Sequence, residues 1–283
     1  MDSRKEWEKA EQTVPEPESW ARQQEKELRE RQVLETALRA GRILLGNGGE
    51  IFRVEETMQR ICRHYGVHSV SAFVLSNGIF LSAGNGNEPY YSTVRHIPTW
   101  VTRLDRVTEV NQLSREIESR NYTLEEVGRR LDEIEGMPGR SRVAQILVAG
   151  IACACFSFLF GGNGGDMTAD FLTGLILYTF LLYACGGLSK ITGNVLCGGL
   201  ITVCCIVFYH IGLGQNLRPL MMGAILPLVP GLTFTNGIRD LADGDYISGS
   251  VRMLDAVLVF MSLGAGAGAV FLAYHHLLGG VLL

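Results

Sequence analysis

The chain has 283 residues, 47% hydrophobic and 19% charged, with a formal net charge of -4. Charges that are mixed in sign and nearly balanced leave no electrostatic footprint for nucleic acid, and that class of partner is set aside. The averages cover two unlike halves: up to Ser141 the chain holds 20 of its 25 Lys and Arg and 23 of its 29 Asp and Glu, and no Glu follows Glu135.

In chain order, residues 1–20 combine dense charge with Pro15 and Pro17. They cannot bury enough apolar surface to offset ordering, so a disordered lead-in is expected there. It lacks the apolar core of a secretory signal, and the domain that follows, 21–139, is expected to stay in the cytoplasm. A helix runs from Trp20 toward Leu45, with Val33, Leu34, Ala37, Leu38, Gly41, Leu44 and Leu45 as its apolar stripe. After Gly46-Asn47-Gly48-Gly49, a second helix places Ile51, Val54, Met58, Ile61 and Tyr65 on one face. Ser69 to Leu75 and Ile79 to Ala83 read as strands, joined through Ser76-Asn77-Gly78, where Asn-Gly favours the positive φ angles of a tight turn. A third strand is expected from Tyr90 to Ile97, then a helix from Trp100 carrying Leu104, Val107, Leu113 and Ile117. Thr123 and Glu126 have the spacing of a capping box and open a short helix that Gly136, Pro138 and Gly139 end. The first half is therefore expected to be an α+β domain.

From 140 to 283 the chain is a series of apolar stretches, each near the roughly 20 residues a helix needs to cross a bilayer. Five transmembrane helices are expected, at about Val143 to Phe160, Phe171 to Leu188, Ile191 to Leu213, Leu220 to Thr235 and Val251 to Leu278. Arg140, Arg142, Lys190, Arg239 and Arg252 fall on one side and only Arg218 on the other. By the positive-inside rule the amino terminus is cytoplasmic and the carboxyl terminus outside. Gly161 to Gly165 reads as a turn in an outer loop; Gly264 with Gly268 permits close helix packing, inside the chain or at a subunit contact, and a lipid-facing position stays equally open. Six of the seven cysteines fall in apolar segments without CxxC spacing, so packing is expected, with no metal site and no cofactor.

The run Gly223-Ala224-Ile225-Leu226-Pro227-Leu228-Val229-Pro230-Gly231 puts two prolines and a glycine inside a spanning segment. Each proline removes a backbone donor, and the freed polar groups must face protein or a water-lined cavity. Two readings stay open: a kink needed for packing, or a broken helix of the kind that holds substrate. Asn236, Arg239, Asp240, Gly244, Asp245, Arg252 and Asp255 follow. Arg239 or Arg252 suits a substrate carboxylate, and Asp240 or Asp255 suits a coupling proton if burial disfavours its ionisation. For Asp243 and Asp245 a solvated loop explains the charge equally well.

These residues, from Gly223 through Pro227, Pro230 and Gly231 to Arg239-Asp240, Gly244-Asp245-Tyr246 and Gly249, resemble the signature of the threonine/serine exporter family. Gly48-Gly49-Glu50-Ile51-Phe52-Arg53-Val54-Glu55 resembles the motif of that family's N-terminal domain, and the similarity runs from about Leu34 to the end. With one set of five helices, the chain is similar to the split YjjP type and not to the fused ThrE type. The resemblance implies an inner-membrane exporter subunit for threonine and serine or for a dicarboxylate such as succinate. It also implies a short YjjB-like partner of four or five helices, forming a hetero-oligomer. Gly49, Glu50, Arg53 and Glu55 would form a cytoplasmic gate or docking contact, although an acid such as Glu50 in a first turn also stabilises a helix by its dipole. No nucleotide-binding motif is present, so a gradient would drive transport. The alternative is a membrane-tethered hydrolase built on Ser76, Ser82, His64, His68 and His96, for which no nucleophile elbow is found.

Overall fold

A computed structural model describes residues 17–85, 88–98 and 102–278. Most of the expected lead-in, and Trp100, lie outside the described residues. The chain divides into two compact units, Met1–Met137 and Pro138–Leu283.

In the first unit α1 (Pro17–Gly46) and α2 (Ile51–His64) form a helical hairpin. Gly41 lets them approach, because a Cβ there would overlap the Met58 side chain. An antiparallel sheet follows in the order β1 (Val70–Leu75), β2 (Gly78–Asn85), β3 (Glu88–His96), and then α3 (Leu104–Arg120) and α4 (Leu124–Glu135). The period-two pattern of the strands sends Val74, Ile79 and Leu81 into a core with Leu34, Leu44, Met58, Ile117 and Leu131. Phe73, Phe80 and Val94, in register across the three strands, stay exposed on the other face. The Thr123–Glu126 capping box is complete: each residue's side chain accepts from the other's backbone N–H, at 3.3 and 2.8 Å. The β1–β2 turn departs from the expected one. Leu75 pairs with Gly78, leaving Ser76 and Asn77 as the central residues, and none of the three turn residues has positive φ. The Asn77 carbonyl instead accepts from the Ile97 amide at 2.8 Å, so the end of the third strand, and not Asn-Gly geometry, fixes the turn.

The second unit has four long apolar helices: α5 (Arg142–Leu159), α6 (Gly164–Tyr183), α7 (Lys190–His210) and α10 (Tyr246–Leu278). Between the last two lie α8 (Leu217–Ile225), a single 3-10 turn at Leu226–Leu228, and α9 (Gly231–Ala242). The segments on either side of residues 229–230 are bent by 63° and make a fifth span if counted together. Two expectations are corrected, and one left open is narrowed within the chain. Helix α6 begins at Gly164 and not near Phe171, because Asn163 and Asp166 form a capping box that starts it inside the glycine-rich turn. The charged stretch between the expected helices, 236–250, is not a loop but a helix–turn–helix. Gly264 and Gly268 meet no neighbour; the close approach is made by Gly266 against α7 at Val195 and Gly199, and by Gly198 against Leu263.

Candidate functional site

The break that Pro227 and Pro230 predict is present, and its local chemistry is simple. Pro227 sits in the 3-10 turn, and Pro230 ends the apolar segment as the N-cap of α9. Pro230 has no side-chain oxygen to accept the first amides of that helix, and no side-chain cap replaces it. Gly231, the first residue of α9, is exposed, and a Cβ added to it would meet no atom within 4 Å. The N-terminus of α9 is thus an open end carrying the positive pole of the helix dipole.

At its other end α9 stops at Gly244, whose φ of +89° lies in the left-handed region. The Asp245 amide donates back to the Asp240 carbonyl at 2.8 Å and the Gly244 amide to Leu241, the two bonds of a Schellman stop. Asp245 then caps α10, its carboxylate accepting from the Ser248 amide at 3.3 Å. Gly244 and Asp245 therefore turn the chain. The hairpin closes tightly through Gly237 against Met253 and Gly249 against Leu241. Across it Arg252 meets Asp240 at 3.1 Å, with 11% and 5% of the side chains exposed. Asn236, one turn before Asp240, is buried as well. Arg239 lies on the exposed side of α9. Asp255 is drawn away from this cluster: both its oxygens take the Lys190 ammonium of α7 at 2.6 Å. Asp240 and Asp255, the expected proton carriers, are thus each matched by a cation.

In the N-terminal unit the motif residues have structural partners. The Gly49 backbone lies against the Leu44 carbonyl, to which its amide donates at 2.8 Å. Glu50 is the N-cap of α2 and pairs with Arg53 at 3.0 Å. The Glu55 carboxylate accepts from the Val74 amide at 2.9 Å, tying α2 to the edge of the sheet. A cavity of about 510 Å³ in this unit is lined by Arg42, Asn47, His96, Arg103, Arg106 and Glu135. Arg42 pairs with Glu135, Arg103 with Asp105, and Arg106 donates to the carbonyls of Glu135 and Met137. Of the residues weighed for a hydrolase, Ser76 lies in the hairpin turn near Gly78, the register partner of His96 at the end of β3, while Ser82 lies within β2 opposite Ser71 and Ser92 and His64 ends α2.

Two further acids of the membrane unit lie outside the expected site residues. Asp166 and Asp170, one turn apart on α6, are both fully buried. Asp166 is satisfied: it accepts from the amides of Asn163 (3.0 Å), Gln215 (2.6 Å) and Asn216 (3.0 Å) and from the Asn216 side chain (3.0 Å). It anchors the turn between α7 and α8 to the start of α6. Neither oxygen of Asp170 forms a hydrogen bond of regular geometry, and the buried Ser157 hydroxyl stands beside them as the neighbouring donor. The available signal was two acids four residues apart in an otherwise apolar span, since ionisable groups at membrane depth are costly.

Comparison with known proteins agrees with this architecture. The profile of the threonine/serine exporter family, ThrE, matches residues 35–274. "Probable succinate transporter subunit YjjP" of Escherichia coli strain K12 is 26% identical over 239 residues, 84% of this chain and 93% of that protein. Its namesake in Klebsiella aerogenes is 25% identical over 84% and 92%. "Threonine/serine exporter" of Corynebacterium glutamicum is 23% identical over 244 residues, 83% of this chain and 50% of that protein. No solved structure matches. The chain is a multi-pass membrane protein that belongs to the threonine/serine exporter family, a family of transporters and not of enzymes.

Proposed function

We propose that the chain is the larger subunit of a two-part, gradient-driven exporter for a small carboxylate metabolite, threonine and serine or a dicarboxylate such as succinate. Its partner is a short YjjB-like membrane subunit, and the pair sits in the bacterial inner membrane with the amino terminus of this chain cytoplasmic and its carboxyl terminus outside. The coverage of relatives favours the split form: this chain spans nearly the whole of the YjjP proteins but half of the Corynebacterium exporter. The observation that carries the substrate class is the open N-terminus of α9 at the 63° break. The Gly231 amide donates to the Val229 carbonyl at 2.8 Å; the amides that follow it and the positive end of a half-helix suit a carboxylate, and Gly231 leaves room for one to reach them. The buried Asp240–Arg252 pair below it holds α9 against α10, so that a rearrangement at the break moves them together.

The test is efflux from cells preloaded with labelled threonine, serine or succinate, carrying this chain alone, with the short subunit, or as Gly231→Leu with the short subunit. Efflux that needs the partner and is lost in Gly231→Leu, with assembly intact, is expected. Efflux of none of the three substrates overturns the reading, and efflux by Gly231→Leu at the unaltered rate removes the substrate site from α9.

A further inference from the structure

Asp170 is a group whose surroundings fit neither a structural carboxylate nor a substrate anchor. It is the seventh residue of α6, about 9 Å along the helix from its start at a rise of about 1.5 Å per residue. Three helices close on it. Ser157 comes from α5, and Gly223 from α8 supplies the space: a Cβ there would overlap the Asp170 carboxyl and come within 2.7 Å of the Ser157 amide. The titratable groups that face it are Asp166 on its own helix, Cys153 on α5 and Cys205 on α7. Among the described residues it forms no ion pair and no hydrogen bond of regular geometry, with the Ser157 hydroxyl standing beside it as a donor. Contrast decides the assignment. One turn away, Asp166 accepts from four donors, the environment of an ionised carboxylate, whereas Asp170, equally hidden from solvent, has the Ser157 hydroxyl alone beside it. An ionised carboxylate with so few donors in a dry interior is very unfavourable.

A device that changes these surroundings is adjacent. Gly223 lies three residues before the 3-10 turn that begins the break, so movement of α8 about that turn uncovers or covers the Asp170 carboxyl.

We propose that Asp170 is the site at which this protein binds and releases the proton that couples transport to the membrane gradient. This inference rests on the exporter reading and its orientation, in which the start of α6 faces outward. A proton entering from the outer face forms the O–H bond of the neutral acid, and displacement of α8 exposes that acid to the cytoplasmic path, where the O–H bond breaks and the proton leaves to water. Ser157 is the neighbouring hydroxyl available to donate to the carboxylate during its ionised interval.

The experiment pairs infrared spectroscopy of the purified full chain in lipid nanodiscs with efflux of labelled threonine, serine and succinate by the complex. At neutral pH a protonated carboxyl C=O band is expected that disappears at alkaline pH and is missing from Asp170→Asn. Gradient-driven efflux is expected to fall at least about tenfold in Asp170→Asn, with Asp170→Glu keeping pH-dependent flux. Absence of the band from the unaltered protein, its persistence in Asp170→Asn, or undiminished efflux by Asp170→Asn overturns the proposal. If Asp170→Asn does not fold, the unaltered protein and Asp170→Glu decide: a band common to both at one frequency does not arise from this side chain and overturns it, and a shifted band supports it. The expected band in a protein that exports none of the three substrates supports the proton site while failing the substrate reading.

Discussion

Single residues divide here into those whose partners explain them and those whose partners do not. Glu55, read from its motif as a gate or docking residue, is explained by the Val74 amide it holds. Glu55→Ala leaves that amide without its acceptor and is expected to destabilise the N-terminal unit by about 1–3 kcal/mol, with Glu55→Gln retaining most of the stability, measured by denaturant unfolding. At the start of α3 the Arg103 guanidinium donates to Asp105 and holds its carboxyl down at about 2. The unfolded value is about 3.9, so the stability this pair contributes is present above about pH 4 and is lost as pH falls through about 2. The group is half exposed and the effect small. Asp105→Asn is expected to flatten the acid limb of the stability profile in that window, removing the pair's small contribution at neutral pH and leaving stability below about pH 2 unchanged, measured by denaturant unfolding across pH. Asp170 is the residue of the second kind: burial is complete and no hydrogen bond of regular geometry is formed.

Elements show the same division through their glycines. The four-residue spacing of Gly264 and Gly268 resembles a packing motif, but the side of α10 that meets α7 is defined by Gly266, where a Cβ would overlap the Val195 carbonyl. Gly266→Val is therefore expected to separate α7 from α10 and to lower the thermal stability and yield of the protein in detergent. Gly264→Val, which adds atoms where no neighbour stands, is expected to leave both unchanged. The α9–α10 hairpin is the other case where an element was misread. The charged residues between the expected helices, 236–250, read as a loop because charge ends an apolar run. The Schellman stop at Gly244 and the Asp245 cap instead carry helix on both sides of a single turn, and burial of Asp240 and Arg252 follows from that geometry.

For the whole molecule, the division into two compact units implies that the first retains its own core when separated. A fragment covering residues 1–139 is expected to be soluble and monodisperse, with a cooperative thermal transition and a mixed helix and strand spectrum by circular dichroism; a fragment that aggregates without a transition would refute that independence. What the sequence by itself determined is what local pattern encodes. Apolar runs near the length of a bilayer crossing, the proline-bearing break, the capping box at Thr123, the helical hairpin and the three strands were all legible, because periodicity, capping and proline geometry act over a few neighbours. Tertiary structure alone decided which ionisable groups are matched and which are left alone. Asp255 reaches Lys190 across 65 positions, Asp166 reaches Asn216 across 50, and Gly223 opens a space for a carboxyl 53 residues earlier in the chain. Solvation of a buried charge depends on every helix that surrounds it: the capping box with Asn163 marks Asp166 locally, but the donors of Gln215 and Asn216, and the lack of such donors around Asp170, come from the tertiary fold.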